Sequence, residues 1–446
     1  MMRRHHLLPP GFAWLVLLVL LLSPGCRTVN NDNSSVKFYG ADNQSGEIRF
    51  EAYIDVALKK GISTQDDLFS EPAKSQVIAL ITRQIQHLYA SFSVHEEFAD
   101  TPGIIEAKGT PQLLKADLDL RKGSARVFYS YKDRVVFKNK IFKSPKITFL
   151  MPRDPVTIYT RTLNSKGFNP CTDEHYNTEE DFWYFWNPKN EGCKIPKSEL
   201  ESVTAKLVPT PNTKKSYPDY DKILGDNGNG RIVDVTFLVG VDENFRNGDL
   251  GKKAYKDVTE LLDTNGFQVE SVDSRHNLLT LRRGAYDVRI DLYLVDPDSK
   301  KFMELAANGL ENSDVFLYDG HSGLGSYLNL PRFREILGRP LKLPIGKSQI
   351  FYFNGCSTFP YYNADYFDLK RTAKDPNGSR NLDIITTSVG ATFDVGAGHD
   401  AAFLTGLFLG KKPTWQSILN DIYRVDPAES TLTHVNGDED NPTSIE

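Results

Sequence analysis

The sequence predicts an α/β protein, with a C-terminal sheet of mostly parallel strands carrying helices on both faces and a smaller α+β region before it. Three observations carry this expectation. From residue 231 onward, short apolar runs alternate with longer amphipathic ones, the rhythm of a parallel sheet built with crossover helices. Two of the apolar runs end alike: Asp314–His321 reads DVFLYDGH and Gln349–Cys356 reads QIFYFNGC. Before residue 205 a helical pattern is followed by a series of strand-like runs, an α+β order.

The chain of 446 residues is long enough for two or three domains, and its 25% charged and 40% hydrophobic content is ordinary for a folded protein. The net charge of -5 and the lack of a basic stripe with interleaved aromatics argue against a nucleic-acid partner.

Residues 1–25 read as a targeting segment. Arg3, Arg4, His5 and His6 precede the uncharged run Phe12–Leu22, which is shorter than the roughly 20 residues a spanning helix needs. A secretory signal peptide fits that pattern. Ser23-Pro24-Gly25-Cys26 then resembles the lipobox of bacterial lipoproteins. The resemblance implies lipidation of Cys26, a membrane contact through the lipid, and a place in the bacterial cell envelope. Arg27 in place of Asp implies the outer membrane. The plainer alternative is an ordinary signal peptide with an incidental Cys. Residues 26–36 follow as a polar tether.

The smaller region spans 37–205. Ile81, Ile85, Leu88 and Phe92 fall at helical spacing, with Ser70 as the expected N-cap and Pro72 in the first turn. Leu118–Phe142 reads as strands, with turns expected at Lys122-Gly123 and Lys132-Asp133. Ile147–Leu150 and Val156–Tyr159 add two apolar runs. Cys171 and Cys193 bracket an acidic and aromatic segment. Its carboxylates invite Ca²⁺, but the spacing of an EF-hand loop is absent. A disulfide loop that lays its aromatic residues on a neighbouring element is expected instead.

Residues 206–230 read as a linker. The Asp-Asn-Gly-Asn-Gly run within them precedes a strand rather than a helix, so it lacks the context of a phosphate loop. In 231–425, strands are expected at 232–239, 267–272, 278–281, 288–295, 315–318, 350–353 and 382–388. Helices are expected at 251–265, 299–310, 331–338, 400–409 and 414–423. Residues 426–446 are expected to form a loose acidic tail.

The chain has four cysteines, Cys26, Cys171, Cys193 and Cys356. Export favours disulfides. With Cys26 lipidated and Cys171 paired with Cys193, Cys356 remains as a free thiol, either a buried structural group or a reactive one. If the runs ending in His321 and Cys356 are neighbours in a parallel sheet, both residues emerge at its carboxyl edge, where ligands bind in open α/β sheets. A thiol beside an imidazole is the pattern of a nucleophile with its acid/base partner. Gly323 and Gly325 allow close backbone approach to a substrate, and the amides of Gly323 and Cys356 are candidate donors of an oxyanion hole. Gly320 and Gly355 suit a sharp turn out of each strand. Asp319 and Asn354 flank the motifs as loop-orienting or strand-end residues. His399 follows the next strand and is a further candidate at the same edge, with Asp400 read as the cap of the helix after it.

An apolar strand ending in His near Gly, then a second ending in a small residue and Cys, resembles the caspase-like cysteine peptidases over roughly residues 231–425. The resemblance implies a caspase-like fold in which Cys356 is the nucleophile and His321 its partner. It also implies a polypeptide substrate, with no metal or other cofactor in the chemistry. Where that family has Gly directly after the His, this chain has Ser322 before Gly323. The leading expectation is an exported, lipid-anchored cysteine endopeptidase. The alternatives are a non-enzymatic envelope lipoprotein using an inactive caspase-like domain as a scaffold, and a Cys-dependent transferase or amidase acting on cell-wall peptides.

Overall fold

Alternation of apolar and polar residues builds the first sheet. Strand β1 (Asn43–Ala57) buries every second residue and pairs antiparallel with β4 (Ser124–Lys138) along its whole length. With β2 (Gly103–Ile105), β3 (Gln112–Asp119), β5 (Lys146–Pro152) and β6 (Leu200–Pro209) it forms a sheet ordered β2-β4-β1-β6-β5, with β3 also on β4. The computed structural model of the chain describes residues 40–93, 103–172, 176–210, 215–224, 231–241, 245–246, 248–428 and 430–445. The expected signal peptide, the tether and Cys26 lie outside the described residues, as does the acidic stretch 173–175.

Helices α1 (Ala73–Gln86) and α2 (Leu88–Ser93) cover one face of this sheet, burying Ile81, Ile85, Leu88 and Phe92 against Ile48, Phe50 and Phe149. Each such side chain contributes roughly 1.5–3 kcal/mol of apolar burial. Three expectations are corrected here. Ser70 does not cap α1: its hydroxyl turns back to the carbonyl of Asp66, and Pro72 holds the N-cap position. Lys132-Asp133 is not a turn, because β4 runs straight through it and Asp133 is held inside by Tyr131 Oη at 2.6 Å and the Lys108 amide at 3.0 Å. Within Val156–Tyr159 the chain enters a short helix, Ile158–Thr162, after Asp154 binds the amides of Val156 and Thr157.

The second sheet comprises β7 (Ile232–Gly240), β8 (Gln268–Asp273), β9 (His276–Arg282), β10 (Asp287–Leu294), β11 (Val315–Gly320), β12 (Gln349–Asn354), β13 (Leu382–Thr386) and β14 (His434–Asn436). Its order is β14-β13-β12-β11-β7-β10-β9-β8. The five strands from β10 to β13 in that order are parallel, and β8, β9 and β14 are antiparallel additions. The protein is therefore mixed α/β with two sheets, one of them mixed parallel and antiparallel.

Helices lie on both faces of the second sheet. Helices α3 (Leu250–Thr264), α6 (Phe393–Leu409) and α7 (Trp415–Tyr423) pack on Val315, Leu317, Ile350 and Tyr352. Helices α4 (Lys300–Asn312) and α5 (Leu330–Leu337) pack on Phe316, Tyr318, Phe351 and Phe353. Covered on both sides, β11 and β12 are buried at every residue, which explains their unbroken apolar character.

Residues Lys37–Glu446 form one compact unit that holds both sheets. Asn43, opening β1, donates to the Thr433 carbonyl at 3.1 Å and bonds His434 Nδ1 at 2.9 Å, so the sheets are joined at β1 and β14. The end of the chain is not a loose tail. Leu432 and Val435 are buried, β14 extends the second sheet, and Asn441 holds Asp383 with two bonds of 2.8 and 2.9 Å. The expected linker also starts too early, since Lys206–Pro209 completes β6, and it contains the helix Tyr220–Ile223.

Candidate functional site

The parallel register Asp319↔Asn354 makes His321 and Cys356 the second residues past matching positions on neighbouring strands. Adjacent strands lie about 4.8 Å apart. Side chains alternate along a strand, so both residues continue the face that carries Val315, Leu317, Ile350 and Tyr352. Among the parallel strands the order reverses between β7 and β11, and the crevice outside such a reversal is the usual ligand site of open α/β sheets. His321 emerges there.

Glycine keeps the edge closed up. Gly240, Gly320 and Gly355 stand side by side at the ends of β7, β11 and β12. A Cβ on Gly320 would run into the Gly240 carbonyl, and one on Gly355 into the Gly320 carbonyl. Gly320 and Gly355 are not among the residues with positive φ. Their role is close backbone approach, which corrects the sharp turn expected of them. The positive φ values come just after, at Gly323 (56°), Leu324 (53°) and Gly325 (88°) in one loop and at Ser357 (51°) in the other. For Leu324 and Ser357 that conformation costs about 1–3 kcal/mol each, a kind of strain that gathers at functional sites.

Both loops are braced from below. Tyr318 Oη donates to the His321 carbonyl at 2.7 Å, and Tyr362 Oη to the Ser322 carbonyl at 2.9 Å. Thr358 Oγ1 donates to the Phe353 carbonyl at 2.9 Å, and Thr387 Oγ1 donates to the Gly355 carbonyl. Ser322, the residue between His321 and Gly323, is thus a buried anchor.

The two reactive side chains do not bond each other. The Cys356 thiol donates to the Ala391 carbonyl at 3.7 Å and accepts from the Ala391 amide at 3.4 Å. The exposed His321 ring meets Phe393 edge to face, with centroids 4.6 Å apart. The three-residue strap Ala391–Phe393, leading into α6, therefore contacts both. Burial pushes the Cys356 thiol above its ordinary pKa, and the Ala391 amide pulls weakly the other way. In this arrangement the thiol is protonated at neutral pH.

A wall from the first part of the chain stands against the same edge. Cys171 and Cys193 form a disulfide, as expected. Inside that loop a 3-10 turn, Phe182–Phe185, aims Tyr184 Oη at Ser357 Oγ, 3.2 Å away. Trp183, Tyr184, Phe185 and Tyr176 pack with Leu324 of the His321 loop and Val389 of the strap's approach.

Beneath the two reactive residues, Asp319 and Asp400 are fully buried against each other, and burial raises both carboxyls, Asp400 well above the ordinary range. Asn354 Nδ2 donates to Asp400 Oδ1 at 3.0 Å and to the Gly396 carbonyl at 3.3 Å. Asp400 Oδ2 has no donor aimed at it, so the pair is satisfied when a proton is shared between the carboxyls. Asp319 and Asn354 thus tie the ends of both motif strands to α6. Asp400 does not cap a helix, because α6 begins seven residues earlier and Asp400 is interior to it. His399 lies among Asn43, Tyr423, Asp426 and Thr431, apart from His321 and Cys356.

Sequence reasoning missed Ala391, Phe393 and Tyr184. The apolar Phe393 before a Gly-Ala-Gly stretch was the available signal for Phe393. Nothing local distinguishes Tyr184 from the other aromatics of its loop. The chain matches no protein-family model and no curated protein. Among the described residues, no helix is long and apolar enough to cross a membrane.

Proposed function

We propose that the chain is an exported, lipid-anchored cysteine peptidase of the bacterial envelope, outer membrane by the identity of Arg27, with a caspase-like domain in its second half. The observation that carries the reading is the shared register of β11 and β12, which delivers His321 and Cys356 together at the carboxyl edge beside the strand-order reversal. In the reaction, the Cys356 thiol passes its proton to His321 and the thiolate attacks a peptide carbonyl carbon. The imidazolium then protonates the departing amine as the C–N bond breaks. Water attacks the resulting thioester, releases the acid and restores the thiol. The amides of Gly323 and Cys356 are the candidate donors to the tetrahedral oxyanion. The described conformation is the resting one, in which the Ala391–Phe393 strap occupies both partners.

One observation favours the scaffold reading instead: the thiol's pKa is raised, not lowered, and His321 is engaged elsewhere. Labelling of the full chain with a thiol-directed peptide electrophile separates the two. The peptidase reading expects labelling at Cys356 that falls at least tenfold in His321→Ala and vanishes in Cys356→Ala. Equal labelling of wild type and His321→Ala would sink it and leave a scaffold.

A further inference from the structure

The outer face of the first sheet carries a charge arrangement that sheets normally avoid. Across four strands the residues directly opposite one another are Lys132 on β4, Arg49 on β1, Lys206 on β6 and Lys146 on β5. All four are exposed. Like charges placed directly opposite destabilise a sheet. The same face does otherwise elsewhere: Asp117, Arg126 and Asp55 stand in one row, and Arg126 binds Asp55 at 2.8 and 2.9 Å. Edge protection accounts for Lys146, which is on an outer strand, but not for Arg49 and Lys206 on interior strands. Glu47 pairs with Arg49, and Glu51 flanks it on β1. Among the described residues, Lys132, Lys146 and Lys206 have no carboxylate within ion-pair distance. A trough of about 450 Å³ opens beside the row at Arg49 and Lys132, lined also by Glu51, Thr110, Gln112 and Ser130.

We propose that this row is a docking surface for an anionic bilayer, its lysines receiving lipid phosphates. The argument is charge complementarity on a broad sheet face, in a chain whose net charge of -5 would otherwise repel such a surface. At ladder spacing of about 4.8 Å the four cations span about 14 Å, and an array of that shape meets a planar surface all at once. Strand β1, which carries Arg49, is also the first described strand after Cys26, the residue expected to bear lipid. A lipid chain and a basic patch together give firm attachment where one acyl chain is marginal. The proposal does not depend on the Cys–His reading.

The test is flotation of the full chain with vesicles of phosphatidylcholine alone and of phosphatidylcholine containing phosphatidylglycerol. The N-terminal run with Arg3 and Arg4 is the same in every variant, so the change in the ratio between wild type and variant reports the charged face. Wild type should prefer the anionic vesicles at low salt and lose the preference as salt rises. Lys132→Gln, Lys146→Gln and Lys206→Gln combined should reduce the ratio, by roughly fivefold per lysine, while Arg126→Gln in the matched row leaves it unchanged. A triple variant that keeps the wild-type ratio overturns the proposal. So does binding of soluble polyphosphate without any preference for anionic vesicles, which would assign the row to a soluble polyanion.

Discussion

At their amino ends, β11 and β12 are tied down by buried polar groups. Asp314 accepts the Asp234 amide at 2.9 Å and meets Lys347 at 3.0 Å, and Gln349 Nε2 donates to the carbonyls of Leu310 at 2.9 Å and Ser313 at 2.7 Å. At their carboxyl ends the same strands run into packed glycine backbones, two non-glycine residues in left-handed conformation, and two carboxyls sharing a buried site. One end is clamped by side-chain bonds to buried backbone, with Gln349 Oε1 left without a donor, and the other crowds backbones and carboxyls against each other. The difference teaches where this fold accepts instability: at the edge where a substrate would bind, held in place by the opposite end.

Substitutions at the two ends should separate stability from chemistry. Gln349→Ala leaves two buried carbonyls without donors and opens a cavity. A loss of about 3 kcal/mol is expected, read as a lower urea midpoint, with Cys356 labelling per folded molecule unchanged. Gly355→Ala forces a Cβ against the Gly320 carbonyl. It should cost about 2 kcal/mol by overpacking and abolish labelling, because the two strand ends must spread. If Gln349→Ala lost labelling as completely as Gly355→Ala, the contrast between the ends would be void.

The acid pair gives the next effect, and its sign is fixed. Burial raises the folded-state pKa of both Asp319 and Asp400 above the unfolded value of 3.8. Between those values the folded protein binds more protons than the unfolded chain, so stability falls as pH rises. The steepest slope is about 1.4 kcal/mol per pH unit for each proton retained. Asp400→Asn mimics the protonated acid and keeps a partner for Asp319. Its urea midpoint should fall less than wild type between pH 5 and 8. Wild type also carries raised Asp133, Glu201 and Asp438, so the informative quantity is the difference between the two curves. Parallel curves would mean that the pair shares no proton.

How much of this was legible in the sequence depends on the range of the interaction. The alternating rhythm after residue 231 located every strand from β7 to β13: β9 and β10 alternate buried and exposed residues and β8 is exposed throughout, whereas β11 and β12, covered on both faces, need unbroken apolar runs. The echo between the motifs placed His321 and Cys356 at one edge for the same reason. Strand β14 escaped because its three residues are fixed by pairing with β13 and by Asn436 Nδ2 donating to the Ile384 carbonyl and Thr386 Oγ1, not by local pattern. The start of α6 escaped because Gly396 and Gly398 are poor helix formers, tolerated where Gly396 lies against Asp319 and Gly398 against Val425. The lysine row was invisible to a scan for basic stripes, since residues 49, 132, 146 and 206 meet only through strand register.

The smallest effect concerns the strap. Ala391 holds the thiol through its backbone, which no side-chain change removes, but Phe393 holds His321 through its ring. Phe393→Ala frees the imidazole without touching Cys356 directly. If the strap keeps the two partners apart, alkylation of Cys356 by iodoacetamide at pH 7 should rise threefold to tenfold, corresponding to about 0.7–1.4 kcal/mol. The rise should disappear in Phe393→Ala/His321→Ala, because a freed histidine is what stabilises the thiolate. A rise that survives loss of His321 would report only a thiol uncovered by looser packing. No rise at all would mean that the Phe393 ring is not what separates the pair.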